Sequence, residues 1–110
     1  MRKITEQSCQ AFRNRKNFTS GNMSITGRTY EGKPHSITEM RLHGNLIASL
    51  CGNTLTLMDA GWQTVTTKER LNGLLNTFYI NAVIFQKNYQ WFITLDGVTS
   101  EWNGSQTFKI

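Results

Sequence analysis

The stretch Ile37-Thr-Glu-Met-Arg-Leu-His-Gly-Asn-Leu-Ile-Ala-Ser-Leu-Cys-Gly-Asn-Thr-Leu-Thr-Leu-Met58 decides the fold class. Residues 37–42 alternate apolar and polar side chains, as a strand does when one face is buried. His43-Gly44-Asn45 marks a turn, and Leu46–Leu50 is a second strand. Gly52-Asn53 is a two-residue turn of the glycine-first type, and Thr54–Met58 then alternates cleanly. Turn signals at such short intervals predict an antiparallel meander.

Toward the N-terminus, Met23–Thr26 reads as another half-buried strand, with Gly27–His35 as a polar hairpin tip. Residues 14–22, rich in Asn, Gly, Lys and Arg, read as a loop around Phe18. Residues 4–14 predict a short helix, with Thr5 as N-cap and Glu6 in the first turn, where the helix dipole favours a carboxylate. Ile4 and Cys9 have the spacing of a hydrophobic staple. Cys9 and Phe12, flanked by Ala11, give this helix an apolar face to lay on a sheet.

Toward the C-terminus, Thr66-Thr-Lys-Glu69 fits a capping box. The helix it starts is predicted to be short, ending near Asn72-Gly73, where glycine can take the left-handed conformation. Phe78–Phe85, Trp91–Leu95 and Val98–Trp102 read as strands, joined by turns at Asn88-Tyr89 and Asp96-Gly97. Thr107–Ile110 is a candidate last edge. The expected fold is α+β: one domain over residues 1–110, a mostly antiparallel sheet of six to eight short strands, an N-terminal helix on one face and one short middle helix.

The chain has 110 residues, with 38% hydrophobic, 17% charged and 11% aromatic side chains. The aromatics supply a core and argue against intrinsic disorder. Met1-Arg2-Lys3 is not followed by the apolar run of a signal peptide. Ala82–Phe85, among the longest apolar stretches, is far short of the roughly 20 residues that span a bilayer. The expected place is therefore the cytoplasm, with no membrane partner. There Cys9 and Cys51 are reduced thiols, and the sequons at Asn17, Asn22 and Asn103 have no meaning.

Charge is distributed unevenly. Residues 1–41 hold eight cations (Arg2, Lys3, Arg13, Arg15, Lys16, Arg28, Lys33, Arg41) against three acids (Glu6, Glu31, Glu39), which leaves +5, the whole net charge of the chain. Residues 42–110 hold four of each sign. Such asymmetry points to an acidic partner, either nucleic acid or an acidic protein face.

Residues that could carry chemistry are sparse. His35 and His43 both read as turn residues, and neither C-x-x-C nor H-x-x-x-H spacing occurs, so no metal or other cofactor is expected. Cys51 beside Gly52 and His43 could be drawn as a nucleophile, but its place at the end of an apolar strand reads better as a small packed hydrophobe. The seven acids are scattered, and no phosphate-cradling glycine loop is present. No catalytic residue is expected, and the chain reads as a binder rather than an enzyme.

The binding signal is Phe12-Arg-Asn-Arg-Lys-Asn-Phe18, which interleaves Arg13, Arg15 and Lys16 with Phe12, Phe18 and amides. Cations grip phosphates and aromatics stack on bases, although a helix C-terminus attracts cations for its own dipole. Arg28 and Lys33 extend the basic set. Trp91, alternating with Ile93 and Leu95, reads as core. Trp62, in Ala60-Gly-Trp-Gln-Thr64, either plugs the open end of the sheet or meets a partner. The plug is favoured, and Trp62 stays among the candidate contacts.

Several of these stretches resemble small accessory proteins encoded by bacteriophages and other mobile elements. The resemblance rests on Arg41–Ala48, Ala60–Thr64, Thr66–Gly73, Ile84–Gln86, Trp91-Phe92 and Glu101–Gly104, with Phe12 and Phe18-x-x-Gly21-Asn22 at the start. It covers roughly two-thirds of the chain, and Arg28–Ile37 is longer than such proteins usually have. It implies a viral or mobile-element origin and a place of action in the host bacterial cell. Its gene class directs the function reading to a stoichiometric inhibitor of a bacterial defence system of the anti-CRISPR type, which would bind a host protein complex with an acidic surface. The alternatives are a nucleic-acid-binding regulator and a component of the virion.

Overall fold

A computed structural model describes residues 2–30 and 33–110, and for 29, 30 and 33–36 the backbone alone. Two helices and nine strands make up the described residues: α1 (Lys3–Arg13), β1 (Phe18–Ser20), β2 (Met23–Tyr30), β3 (Lys33–Leu42), β4 (Asn45–Cys51), β5 (Thr54–Met58), α2 (Val65–Thr77), β6 (Ala82–Lys87), β7 (Gln90–Leu95), β8 (Val98–Glu101) and β9 (Ser105–Lys109). The strands form two antiparallel sheets, one of six in the order β1-β2-β3-β4-β5-β9 and one of three in the order β6-β7-β8. The α+β class and the meander follow the sequence reading.

Alternation divides the large sheet into two faces. Ile25, Met40, Ala48 and Leu57 lie in register and are buried, as are Leu50, Leu55 and Phe108 one row along. The opposite face carries the row Thr26, Glu39, Ser49, Thr56 and Thr107. Both helices and Trp91, Ile84 and Ile93 of the small sheet close the apolar face into a single core. Trp91 is thus core, as its alternation predicts.

The turns obey local chemistry. His43-Gly44, Asn88-Tyr89 and Asp96-Gly97 each place two residues at positive φ, the form that matches the twist of hairpin strands. At Gly52-Asn53 only the glycine is at positive φ. A bulge interrupts β4: Met40 faces Ala48 while Arg41 faces Leu46, so Ile47 is the extra residue. Ile47 and Ala48 are consequently both buried, which alternation alone forbids.

Several boundaries differ from the sequence reading. The loop around Phe18 contains β1, which pairs with β2. The supposed hairpin tip from Gly27 to His35 is largely strand, since Tyr30 pairs with Lys33. Phe78–Ile80 belongs to the end of α2 and its exit, and the strand that was expected to begin at Phe78 starts at Ala82. Gly73 does not stop α2; it is buried within the helix, and Thr77 Oγ1 donates to its carbonyl at 2.8 Å. Leu71, Leu74 and Leu75 on the core side are all buried. Their burial outweighs the roughly 1 kcal/mol cost of a glycine in mid-helix.

Both expected N-caps are displaced, and one residue explains them. Arg70 is buried, and its Nη1 donates to Thr5 Oγ1 at 2.6 Å and to Glu69 Oε1. Thr5 Oγ1 in turn donates to Glu69 Oε1 at 2.7 Å, and Arg2 Nε lies 3.5 Å from Glu69 Oε2. A buried guanidinium must be paired, so it takes the hydroxyl and the carboxylate that would have capped the helices. Burial raises the Glu69 pKa, and Thr5, Arg70 and Arg2 outweigh that and hold it below its ordinary value. The residue before α1 is Arg2, with no side-chain cap, and α2 is capped by Thr64 instead of Thr66.

The helices run side by side in the same direction. Thr5 meets Arg70 near one end, the Phe12 and Phe78 rings pack edge to face at 6.1 Å, and Arg13 lies over Tyr79 at the other end. Asn72 joins α2 to the small sheet. Its amide donates to the Ile84 carbonyl and accepts from the Ile84 N–H, both at 2.8 Å, so it occupies the edge of β6 as a neighbouring strand would.

Candidate functional site

The expected basic and aromatic contacts do not form one patch. Phe12 is fully buried and cannot stack on a ligand. It is the apolar anchor of α1, and the same i, i+3 spacing with Cys9 that predicts a docking face places it in the core. Phe18 is half-buried against that core from β1. Arg15 is held at the surface, where its Nη2 donates to the Gly52 carbonyl at 2.7 Å. Arg13 and Lys16 are exposed, Arg13 with its guanidinium 5.5 Å from the Tyr79 ring centre. Arg28 lies on the outer face of the large sheet, 3.6 Å from Glu39, which Arg41 also meets at 3.1 Å. The side chain of Lys33 lies outside the described residues.

Trp62 resolves the other way. It does not plug the sheet: 60% of it is exposed. The buried indole beside its loop is Trp102, which donates from Nε1 to Asp59 Oδ2 at 2.9 Å. Cys51 is exposed too, at the end of β4, and is not packed as expected. Cys9 is the buried thiol, and burial pushes its pKa up to about 12.

The loop that carries Trp62 is built around Asp59. One oxygen of the Asp59 carboxylate accepts from the Gly61 N–H at 2.8 Å, and the other accepts from Gln63 Nε2 at 3.1 Å as well as from Trp102. The Asp59 carbonyl accepts from the Trp62 N–H at 2.8 Å, and the Trp62 carbonyl accepts from the Thr64 N–H at 3.0 Å. Burial raises the Asp59 pKa, and the hydrogen bonds from Gly61, Gln63 and Trp102 outweigh it, so the group lies below its ordinary value. Thr64 then caps α2, its Oγ1 accepting from the Thr67 N–H at 3.1 Å. These bonds hold the loop, and it presents an indole from their frame.

Trp62 stands at the rim of a cavity of about 470 Å³. Leu42 and the bulged Ile47 give it apolar walls, and His43, Asn45, Thr64 and Thr66 supply polar atoms. A few placed polar groups around an apolar interior is the usual composition of a binding pocket. Among the described residues no three His, Cys, Asp or Glu side chains gather where they could hold a metal, and no helix is long and apolar enough to cross a membrane. Sequence reasoning missed Asp59, His43 and Ile47 as parts of this site. Asp59-Ala-Gly61 carries a usable signal, since an aspartate often hydrogen-bonds the backbone two residues on. The bulge that places Ile47 carries none.

Trp62 and Arg13 lie toward opposite ends of α2, whose 13 residues span roughly 20 Å. The structure therefore brings together Arg13 and Lys16 at one end, and Trp62 with the cavity at the other. No curated protein and no solved structure matches the chain. A family profile described as Kyanoviridae Gp96 protein matches residues 1–109, and the chain is therefore a member of that bacteriophage family.

Proposed function

We propose that this phage protein acts by stoichiometric binding of a host protein, with Trp62 as the anchor and the cavity beside it as the receiving pocket. The observation that carries this reading is a large indole, mostly exposed, held at a cavity rim by a loop that hydrogen-bonds to the Asp59 carboxylate. Exposing an aromatic surface has no benefit for folding, and tryptophan is the residue type most enriched among residues that dominate interface energy. The net charge of +5 favours an acidic surface on the partner. Occupying such a surface requires no catalytic group. The target class is a bacterial defence effector of the kind that anti-CRISPR proteins inhibit, and its gene class supports this choice.

The test is phage plating on a host with an active defence system, with and without the gene supplied in trans. The expected result is higher plating with the gene, and loss of that gain with Trp62→Ala. Because Trp62 is exposed, the variant should unfold at the same urea midpoint within about 0.5 kcal/mol. Equal plating with and without the gene across defended hosts overturns the inhibitor reading. Full activity of Trp62→Ala overturns the site.

A further inference from the structure

Both helices end in the same backbone motif. After α1 the Lys16 N–H donates to the Ala11 carbonyl and the Arg15 N–H to the Phe12 carbonyl; after α2 the Ile80 N–H donates to Leu75 and the Tyr79 N–H to Asn76. This is the Schellman arrangement, and its left-handed position is normally glycine. Here the two positions hold Arg15 at φ 57° and Tyr79 at φ 56°. A side chain there is strained relative to glycine. Arg15 has a structural role, an exposed hydrogen bond to the Gly52 carbonyl. Tyr79 has no comparable burial: it is 82% exposed and contacts the Arg13 guanidinium. Tyr89, at φ 66° in a hairpin turn, is an exposed aromatic under the same strain, so strain alone assigns no function; Tyr79 adds a cation over its ring and a polar cavity beside it.

The surroundings of Tyr79 define a chemistry. A cavity of about 360 Å³ lies beside the ring, lined by Glu6, Gln10, Asn76 and Thr77. Two amides offer donors and acceptors suited to the edge of a planar base, and the Glu6 carboxylate and the Thr77 oxygen, whose hydrogen goes to Gly73, add acceptors. With Arg13 over one face and most of the residue exposed, the other face of the ring is open to stacking. Arg13 and Lys16 are exposed on the same end of the helix pair and supply positive charge. The helix dipoles alone would attract these cations, but they do not account for a tyrosine where glycine is more stable. Glu6 repels phosphate, so the phosphate belongs on the side of Arg13 and Lys16.

We propose that Tyr79 and this cavity bind one unpaired nucleotide of a single-stranded nucleic acid, with the base stacked on Tyr79 and the adjoining phosphate held by Arg13 and Lys16. The site is separate from Trp62, and either can fail without the other.

The test uses the full chain and a short fluorescein-labelled oligothymidylate in an anisotropy titration at low salt. Saturable binding is expected, weakened about tenfold by Tyr79→Gly, since stacking contributes on the order of 1–3 kcal/mol per base. Glycine suits the backbone at this position, so loss of binding will not reflect loss of fold. Tyr79→Trp should retain binding. The double change Arg13→Ala with Lys16→Ala should flatten the dependence of log affinity on log salt, by about 0.7 for each lost phosphate contact. Wild-type affinity in Tyr79→Gly overturns the proposal. So does absence of saturable binding, or equal affinity for an oligoglutamate peptide, which would mark the end as a general anion surface.

Discussion

The two ends of α2 each present an exposed aromatic residue, and they hold it by opposite means. At the start, Trp62 sits on a loop in which Asp59 satisfies Gly61, Gln63 and Trp102, and Thr64 caps the helix. Side chains complete the backbone there, and the indole is displayed from a relaxed, well-bonded frame. At the end, the backbone closes on itself through the Ile80 and Tyr79 N–H groups, and the aromatic occupies the left-handed position. The first end adds stability while it displays its residue. The second gives stability up. The contrast teaches that exposure alone does not rank candidate contacts: what the backbone tolerates in order to hold them says more about selection.

Changing each end should therefore move stability in opposite directions. The largest effect belongs to Asp59→Ala. It leaves the buried Trp102 Nε1–H without its acceptor and releases the Trp62 loop, which should cost about 2–3 kcal/mol in urea unfolding. Acid should mimic part of this change. The folded-state pKa of Asp59 is depressed, so the carboxylate contributes stability at pH values above its unfolded pKa and loses it as pH falls through the folded value. The Trp62 environment, followed by fluorescence, should thus change only below about pH 4. An unfolding midpoint for Asp59→Ala equal to wild type would break the account of the loop.

A smaller effect separates the observed cap from the one the sequence favours. Thr64→Ala should cost about 1 kcal/mol through the lost bond to the Thr67 N–H, whereas Thr66→Ala should stay within about 0.5 kcal/mol. The reverse order would place the helix start two residues later. The smallest change has the opposite sign. Tyr79→Gly removes about 1–2 kcal/mol of left-handed strain and adds about 0.5–1 kcal/mol of unfolded-chain entropy, so the variant should equal wild type or exceed it by up to about 1.5 kcal/mol. A clear loss of stability would mean that Tyr79 is held for packing, and the contrast between the ends would vanish.

Much of the fold was legible because its signals are local. Ile37–Met58 shows alternation broken by two tight turns, and neither feature depends on the rest of the chain. The hairpins at Asn88-Tyr89 and Asp96-Gly97 were legible for the same reason, as was the core position of Trp91. The candidate sites were less legible. The cations of the Arg13–Lys16 segment could be seen, but not that Phe12 beside them faces inward or that Arg15 spends its charge on Gly52. Tyr79 gave no signal, since it falls within a run that reads as strand until α2 is seen to continue past Gly73.

The sequence by itself determined the strands from Ile37 to Met58 and from Trp91 to Trp102, their turns, the presence of two helices and the placement of net charge along the chain, because each depends on neighbours a few residues away. The tertiary structure alone decided how the strands divide between two sheets, where the helices begin and end, and which aromatics reach solvent. Arg70 shows why. Once folding buries its guanidinium, the cost of an unpaired charge draws in Thr5 from α1 and Glu69 from its own helix. Two residues that read as helix caps are then used across 64 residues of sequence, a distance at which no local pattern carries information.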